Sequence, residues 1–163
     1  MNTREIVLTA VFSALYATLV ISLSPISFGP LQLRIADTII PLTIVFGWPV
    51  VAGVTLGCFV GNVYGQLGML DYMLGPAANL LAATLFYKLR QRPLMACSVG
   101  PIPIGLIVGG YLWAFFPSPE ILALPSWLAM IVCVTSSTYV TVGLVGYLLY
   151  KLVNTILGHR KTI

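Results

Sequence analysis

Long apolar segments fill almost the whole of this 163-residue chain, and short stretches of glycine, proline or charge separate them. A helix needs about 20 mostly apolar residues to cross the hydrocarbon core of a bilayer, which is about 30 Å thick. Charged residues make up 7% of the chain and hydrophobic residues 59%, whereas an average soluble domain has about 25% charged residues. The sequence therefore predicts an all-α integral membrane bundle, with residues 1–163 forming a single transmembrane domain.

Six apolar segments can be separated along the chain. The second is too short to cross a bilayer core at about 1.5 Å per helical residue, and it carries Asp37 and Pro41. We expect its flanks to extend it, or the segment to lie tilted in a thinned region of the bilayer. The connection before it contains Pro25, Gly29 and Pro30, which disfavour a helix there. The segments are Ile6–Leu23, Ile35–Phe46, Trp48–Tyr64, Leu70–Tyr87, Leu94–Phe116 and Trp127–Leu152.

The basic residues support six transmembrane helices, because Lys and Arg concentrate in the short cytoplasmic loops of membrane proteins. With the N terminus inside, seven of the eight basic residues fall on the cytoplasmic side and only Arg34 lies outside. Both termini are then cytoplasmic in a multi-pass protein of the cell membrane. Residues scattered in this way do not form the continuous basic patch of a nucleic-acid-binding protein. The seven are Arg4, Lys88, Arg90, Arg92, Lys151, Arg160 and Lys161.

Small residues form two stripes that could allow helices to approach closely. Glycines recur every four residues along the third segment, and alanines at positions 10 and 14 mark a similar face of the first. Either stripe could pack inside this bundle, and the alanine face could equally hold a partner membrane protein. The residues are Gly53, Gly57, Gly61 and Gly65 in the third segment, and Ala10 and Ala14 in the first.

Arg34 and Asp37 are three residues apart inside an apolar stretch. Ionisable groups at membrane depth cost about 2.5 to 3.5 kcal/mol each, so they usually face a cavity or a partner. On a helix the two could share one face and form a local ion pair that is purely structural. Alternatively, they belong to a binding site. The second alternative gains support because other polar and aromatic side chains are predicted at the same outer depth.

Those side chains would line an outward-opening hollow contributed by several helices. Amides, carboxylates and aromatic rings together suit a planar heterocycle with several hydrogen-bond donors and acceptors. The candidate residues beyond Arg34 and Asp37 are Gln32 before the second segment, Asn62, Tyr64 and Gln66 on or just after the third, Asp71 and Asn79 on the fourth, Trp113 on the fifth and Tyr139 on the sixth.

Catalytic and metal-binding motifs are missing from the sequence. His159 is the single histidine and lies near the C terminus, and there is no P-loop, zinc-ligand spacing or G-x-S-x-G motif. The three cysteines are far apart within apolar segments, which favours a packing role. We therefore expect no enzyme activity, no catalytic residue, no metal and no cofactor.

Two stretches of the first half resemble a known family. SPISFGPLQLRIADTIIPL and TLGCFVGNVYGQLGMLDYMLGPAANLLAATL are similar to the QueT family of substrate-binding S components of energy-coupling factor transporters. The likeness covers about residues 6–92 and rests on the Q-x-R-I motif from Gln32 to Ile35, with an acid three residues after the arginine, and on the G-C-x-x-x-N and G-x-L-D segments. Family members commonly read R-I-S-E where this chain reads R-I-A-D, with the shorter acid Asp37.

The resemblance implies a six-helix S component that captures a queuosine precursor, a 7-deazaguanine, from outside. It also implies partners: a membrane coupling subunit and two ATPase subunits that drive delivery, with Ala10 and Ala14 as the docking residues. A stand-alone secondary carrier or channel for a small heterocycle is the alternative, as is an S component for another vitamin. Each of these assignments has membrane lipid and a small-molecule substrate as further partners.

Overall fold

The computed structural model describes residues 2–29, 32–116 and 124–159. Over these residues the regular elements are all helical. Arg160 and Lys161, which support the predicted topology, lie outside the described residues, as does Pro30. The predicted fold class, an all-α bundle of apolar helices, is confirmed.

The bundle begins with α1 (Thr3–Ser22), α2 (Ser24–Ser27), a 3₁₀ helix (Ile35–Leu42), α3 (Thr43–Phe46), α4 (Trp48–Gly65) and α5 (Met69–Lys88). It continues with α6 (Pro93–Val99), α7 (Pro101–Leu112), α8 (Ser126–Thr138), a π-helical stretch (Tyr139–Val145) and α9 (Gly146–His159). The prediction that no helix forms between the first two segments is wrong for α2. This element is a single turn with Pro25 in its first positions, where proline leaves no intrahelical hydrogen bond unmade.

In the described part of the chain, five helices are long and apolar enough to cross a membrane. They correspond to every predicted segment except the second, which forms the shorter apolar helix Ile35–Phe46. A 3₁₀ helix rises about 2 Å per residue and an α-helix about 1.5 Å, so this segment falls short of a core of about 30 Å. The five are Thr3–Ser22, Trp48–Gly65, Met69–Lys88, Pro93–Leu112 and Ser126–Leu157.

The 3₁₀ helix lies inside the bundle rather than against lipid. Its residues from Ala36 to Leu42 are all buried, and it contacts α1, α4, α5 and α9. Pro41 packs tightly against α9, because a Cβ placed on Gly146 would lie 2.8 Å from the Pro41 Cγ atom. The surrounding helices therefore hold Asp37 at a fixed position in the interior.

The glycine stripe of α4 packs against α1, so it serves contacts within the chain. A Cβ on Gly53 would lie 2.9 Å from the Thr9 carbonyl oxygen, and one on Gly57 would lie 2.6 Å from the Ser13 carbonyl oxygen. Such distances leave no room for a methyl group beside a backbone atom. The α1–α4 contact is thus a close backbone approach of the kind that small residues allow in membrane proteins.

Replacing Gly57 by alanine should loosen this helix pair. The added methyl group meets backbone and Cβ atoms of α1, which cannot move without shifting the helix, and overpacking of this kind costs about 1 to 3 kcal/mol. Thermal unfolding of the purified protein in detergent should show a lower midpoint. Gly110→Ala is the matched control, because no atom lies within 4 Å of a Cβ there. An unchanged midpoint for Gly57→Ala would contradict the close approach.

Candidate functional site

Arg34 forms a buried ion pair with Asp71, on α5. The Nη2 atom of Arg34 lies 3.4 Å from the Asp71 Oδ1 atom, and the two side chains are 4% and 0% exposed. Its Nη1 atom donates to the Cys58 Sγ atom at 3.5 Å, and its guanidinium carbon lies 5.6 Å from the centre of the Phe28 ring. Residues from the α2 end, α4 and α5 therefore surround this cation.

Asp71 is held from two further helices. The Tyr111 hydroxyl, on α7, donates to the Asp71 Oδ1 atom at 2.6 Å. The Asn62 Nδ2 atom, on α4, donates to the Asp71 backbone carbonyl at 2.8 Å. Because the Oδ1 atom interacts with both Tyr111 and Arg34, the orientation of the carboxylate is fixed. Its Oδ2 atom has no hydrogen-bond partner among the described residues.

Asp37 forms a second centre with α1 and α5. The Tyr16 hydroxyl donates to the Asp37 Oδ1 atom. The Asn79 Nδ2 atom donates to the Tyr16 hydroxyl oxygen at 2.7 Å and lies 3.4 Å from the Asp37 Oδ1 atom. Three elements that are distant in sequence thus meet at one carboxylate.

The two centres belong to one cluster, because Asp71 and Asn79 lie two turns apart on α5 and Arg34 lies three residues before Asp37. Gly75 lies between the two α5 residues, where a Cβ would overlap the Asn62 Nδ2 atom and lie 3.7 Å from the Arg34 Nη1 atom. We call the following residues, which are 0% to 7% exposed, the polar cluster: Tyr16, Arg34, Asp37, Cys58, Asn62, Asp71, Asn79 and Tyr111.

Several buried polar atoms of this region have no hydrogen-bond partner among the described residues. They are Arg34 Nε, Asn62 Oδ1 and Asp71 Oδ2 in the cluster, and Nε2 of Gln32. Gln32 is 4% exposed and its backbone carbonyl accepts from the Arg34 N–H at 2.9 Å. Each unpaired buried group costs about 1 to 3 kcal/mol, so a ligand that pairs with them would recover that free energy.

The structure brings together six of the ten residues predicted to bind substrate. Arg34 pairs with Asp71 rather than forming the local ion pair with Asp37 that their spacing suggested. The side chains of the cluster contact one another directly. The six are Gln32, Arg34, Asp37, Asn62, Asp71 and Asn79, with Gln32 joined through its backbone.

The other four predicted residues lie away from the polar cluster. Tyr64 is 57% exposed, and Gln66 is an exposed residue in left-handed conformation at the end of α4. Trp113 is 46% exposed and donates from Nε1 to the Gly110 carbonyl at 3.0 Å. The Tyr139 hydroxyl donates to the Ser98 carbonyl at 2.6 Å, at the surface between α6 and the π-helical stretch. The rotation of each helix about its own axis explains these placements, because it directs the four side chains to the surface of the bundle.

Three members of the polar cluster were not among the residues predicted to bind substrate: Tyr16, Cys58 and Tyr111. Cys58, which contacts Arg34, was expected only to serve packing. Tyr16 sits in the middle of the first apolar segment, away from the interfaces where tyrosine is common, and a buried hydroxyl there requires a partner. That position was a usable signal. Tyr111 lies near a helix end, where it is indistinguishable from an interfacial aromatic residue, so the sequence carried no signal for it.

One protein family matches most of the chain. The family model described as QueT transporter matches residues 6–155. The chain belongs to the QueT transporter family. This confirms the resemblance seen in the first half and extends it through the helices of the second. The family is one of transporters, in agreement with the expectation that the chain is not an enzyme, and its apolar helices are those of a multi-pass membrane protein.

A curated relative of this QueT family member comes from Lactococcus lactis subsp. cremoris (strain MG1363). It is named "Queuosine precursor transporter QueT" and is 32% identical over 93 residues, which is 56% of this chain and 54% of the relative. The chain therefore matches about half the length of that relative. No solved structure matches the chain significantly.

Proposed function

We propose that this QueT family protein is the substrate-binding subunit of an ATP-driven importer of the energy-coupling factor type. Its substrate would be a queuosine precursor, a 7-deazaguanine, captured from outside the cell. Family membership and the name of the relative support transport of such a compound. The observation that carries the proposal is the set of unpaired donors and acceptors around Arg34 and Asp71.

The chemistry of these atoms suits a guanine-like ring. Such a ring presents two parallel N–H donors beside a carbonyl acceptor. The free Oδ2 atom of Asp71 and the Oδ1 atom of Asn62 can accept from the N–H groups, while Arg34 Nε can donate to the carbonyl. A ligand without this pattern would leave buried groups unpaired, and sites of this kind discriminate strongly.

The need for partner subunits follows from what the chain itself contains. The sequence has no nucleotide-binding P-loop, so energy from ATP must come from other subunits. Ala10 and Ala14 are exposed on α1 and line an apolar groove of about 560 Å³ together with Leu56 and Val60 of α4. We propose this groove as the docking face for the membrane coupling subunit, which would join two ATPase subunits.

The central test is ligand binding by the purified chain in detergent. Calorimetry with a panel of 7-deazaguanines, purines, pterins and B vitamins should give tight binding for the 7-deazaguanines only. Binding confined to another class of compound would overturn the proposed substrate. Proteoliposomes of the chain alone should not accumulate ligand, and accumulation would favour a self-sufficient carrier instead.

Gln32→Ala should weaken ligand binding by about 10- to 100-fold, because it removes a buried donor that pairs with ligand at about 1 to 3 kcal/mol. The fold should be kept, since the Gln32 Nε2 atom has no partner among the described residues. Gln66→Ala is the matched control. Like Gln32, Gln66 has a positive backbone φ, but its side chain is exposed. Equal calorimetric affinity for Gln32→Ala and the wild type would remove Gln32 from the site.

A further inference from the structure

A cavity lies at the end of the bundle where α1 begins, away from the polar cluster. Its volume is about 370 Å³, within the range of small-ligand sites. Residues of α1, the α3–α4 connection and the end of α5 contribute to its walls. Basic side chains are provided by Arg4 and Arg90, and apolar walls by Leu8, Val45 and Phe46.

The aromatic residues of this site hold Arg90 in place. The Trp48 and Tyr87 rings meet edge to face with centroids 6.0 Å apart, and the Arg90 guanidinium carbon lies 5.1 Å from the centre of the Tyr87 ring. A guanidinium stacked on a ring keeps the N–H groups at its edge free to donate. A cation held in this way also loses less conformational freedom when it binds an anion.

The acidic residue of the site is already engaged. The Glu5 Oε2 atom accepts from the Asn2 backbone N–H at 2.8 Å, and the Asn2 Oδ1 atom accepts from the Glu5 N–H at 2.9 Å. This capping box leaves Glu5 directed at its own helix end. Within the described ranges, neither Arg4 nor Arg90 has a carboxylate within 4 Å. Two arginines thus face the site without an ion-pair partner of their own there.

We propose that this cavity binds the phosphate group of an anionic phospholipid. Arg4 and Arg90 would hold the phosphate, and the acyl chains would follow the apolar wall toward the exposed Trp48 ring. A lipid matches both halves of the lining, whereas a soluble phosphate would match only the basic half. Lipid bound here would contact the first turns of α1 and the end of α5. The proposal is independent of which substrate the polar cluster takes.

Native mass spectrometry of the full chain in detergent can test this site. Phosphatidylglycerol should bind more tightly than phosphatidylcholine with the same acyl chains, because the choline cation offsets the charge of the phosphate. The preference should be roughly fivefold for each arginine at the site. In the Arg4→Gln/Arg90→Gln double variant this preference should disappear. Arg92→Gln is the matched control, because it removes one charge at the same end of the bundle but lines a separate cavity.

Three results would overturn the proposal. One is equal retention of the two lipids by the wild-type protein. Another is that Arg92→Gln loses the preference for phosphatidylglycerol as completely as the double variant does, which would indicate diffuse electrostatic attraction at the basic surface. The third is displacement of phosphatidylglycerol by millimolar inorganic phosphate, which would assign the site to a soluble anion. Because Arg4, Arg90 and Arg92 are all exposed, circular dichroism should show an unchanged fold in both variants.

Discussion

Asp71→Asn should destabilise the protein by about 3 to 5 kcal/mol, the cost of leaving one partner of a buried ion pair without the other. The asparagine can still accept the Tyr111 hydroxyl, so the change isolates the loss of charge beside Arg34. Arg34 is 4% exposed, so water solvates its charge poorly once the carboxylate is lost. The measurement is the free energy of unfolding in mixed detergent, followed by circular dichroism.

A double variant separates the ion pair from general packing. Arg34→Met with Asp71→Asn removes both charges, and replacing a whole buried pair by uncharged side chains is often nearly neutral. Its stability should therefore recover most of what Asp71→Asn loses. Binding of the proposed 7-deazaguanine should nevertheless be lost in the double variant, because the Arg34 Nε donor and the Asp71 Oδ2 acceptor are gone. Simple additivity of the two single effects would show that Arg34 and Asp71 do not depend on each other.

The helices were largely predictable from the sequence. The hydropathy of a segment depends only on its local composition, so it locates the segment to within a few residues. The third segment, for example, was predicted as Trp48–Tyr64 and forms the helix Trp48–Gly65. The second segment was recognised as too short for a bilayer core, but it was still counted as one of six spanning helices, and it forms only the shorter helix Ile35–Phe46. Its 3₁₀ form and its burial were not predictable, because they depend on how tightly α1, α4, α5 and α9 enclose it.

The polar cluster was predictable in composition but not in pairing. Polar residues at membrane depth are expensive enough to be informative one by one, which is why Arg34, Asp37 and Asp71 stood out. Their partners depend on helix rotation, which leaves only a weak trace in an apolar sequence. Arg34 therefore pairs with a residue 37 positions away instead of its near neighbour. Tyr64 and Trp113 were predicted to lie in the site only because of their depth in the membrane. The sequence does not show which way their helices are rotated, and both side chains are exposed.

Ala10→Leu combined with Ala14→Leu should abolish ATP-driven uptake while leaving substrate affinity unchanged. Both alanines are exposed on α1 and line the groove beside α4, so the larger side chains fill the groove without disturbing the interior. Overpacking costs about 1 to 3 kcal/mol at each position, which would weaken docking by more than about tenfold. Uptake is measured in vesicles that contain the complete transporter, and affinity by calorimetry on the purified chain.

Ala77→Leu is the matched control, because Ala77 is an exposed alanine of a membrane helix, α5, that does not line this groove. It should keep both uptake and affinity. The contrast between the two variants matters because α1 carries the groove on one face and Tyr16, which reaches Asp37, on the other. If the leucines reduced affinity as strongly as uptake, the groove would be part of the folding core of the binding site. Normal uptake by the double variant would place the docking face elsewhere on the bundle.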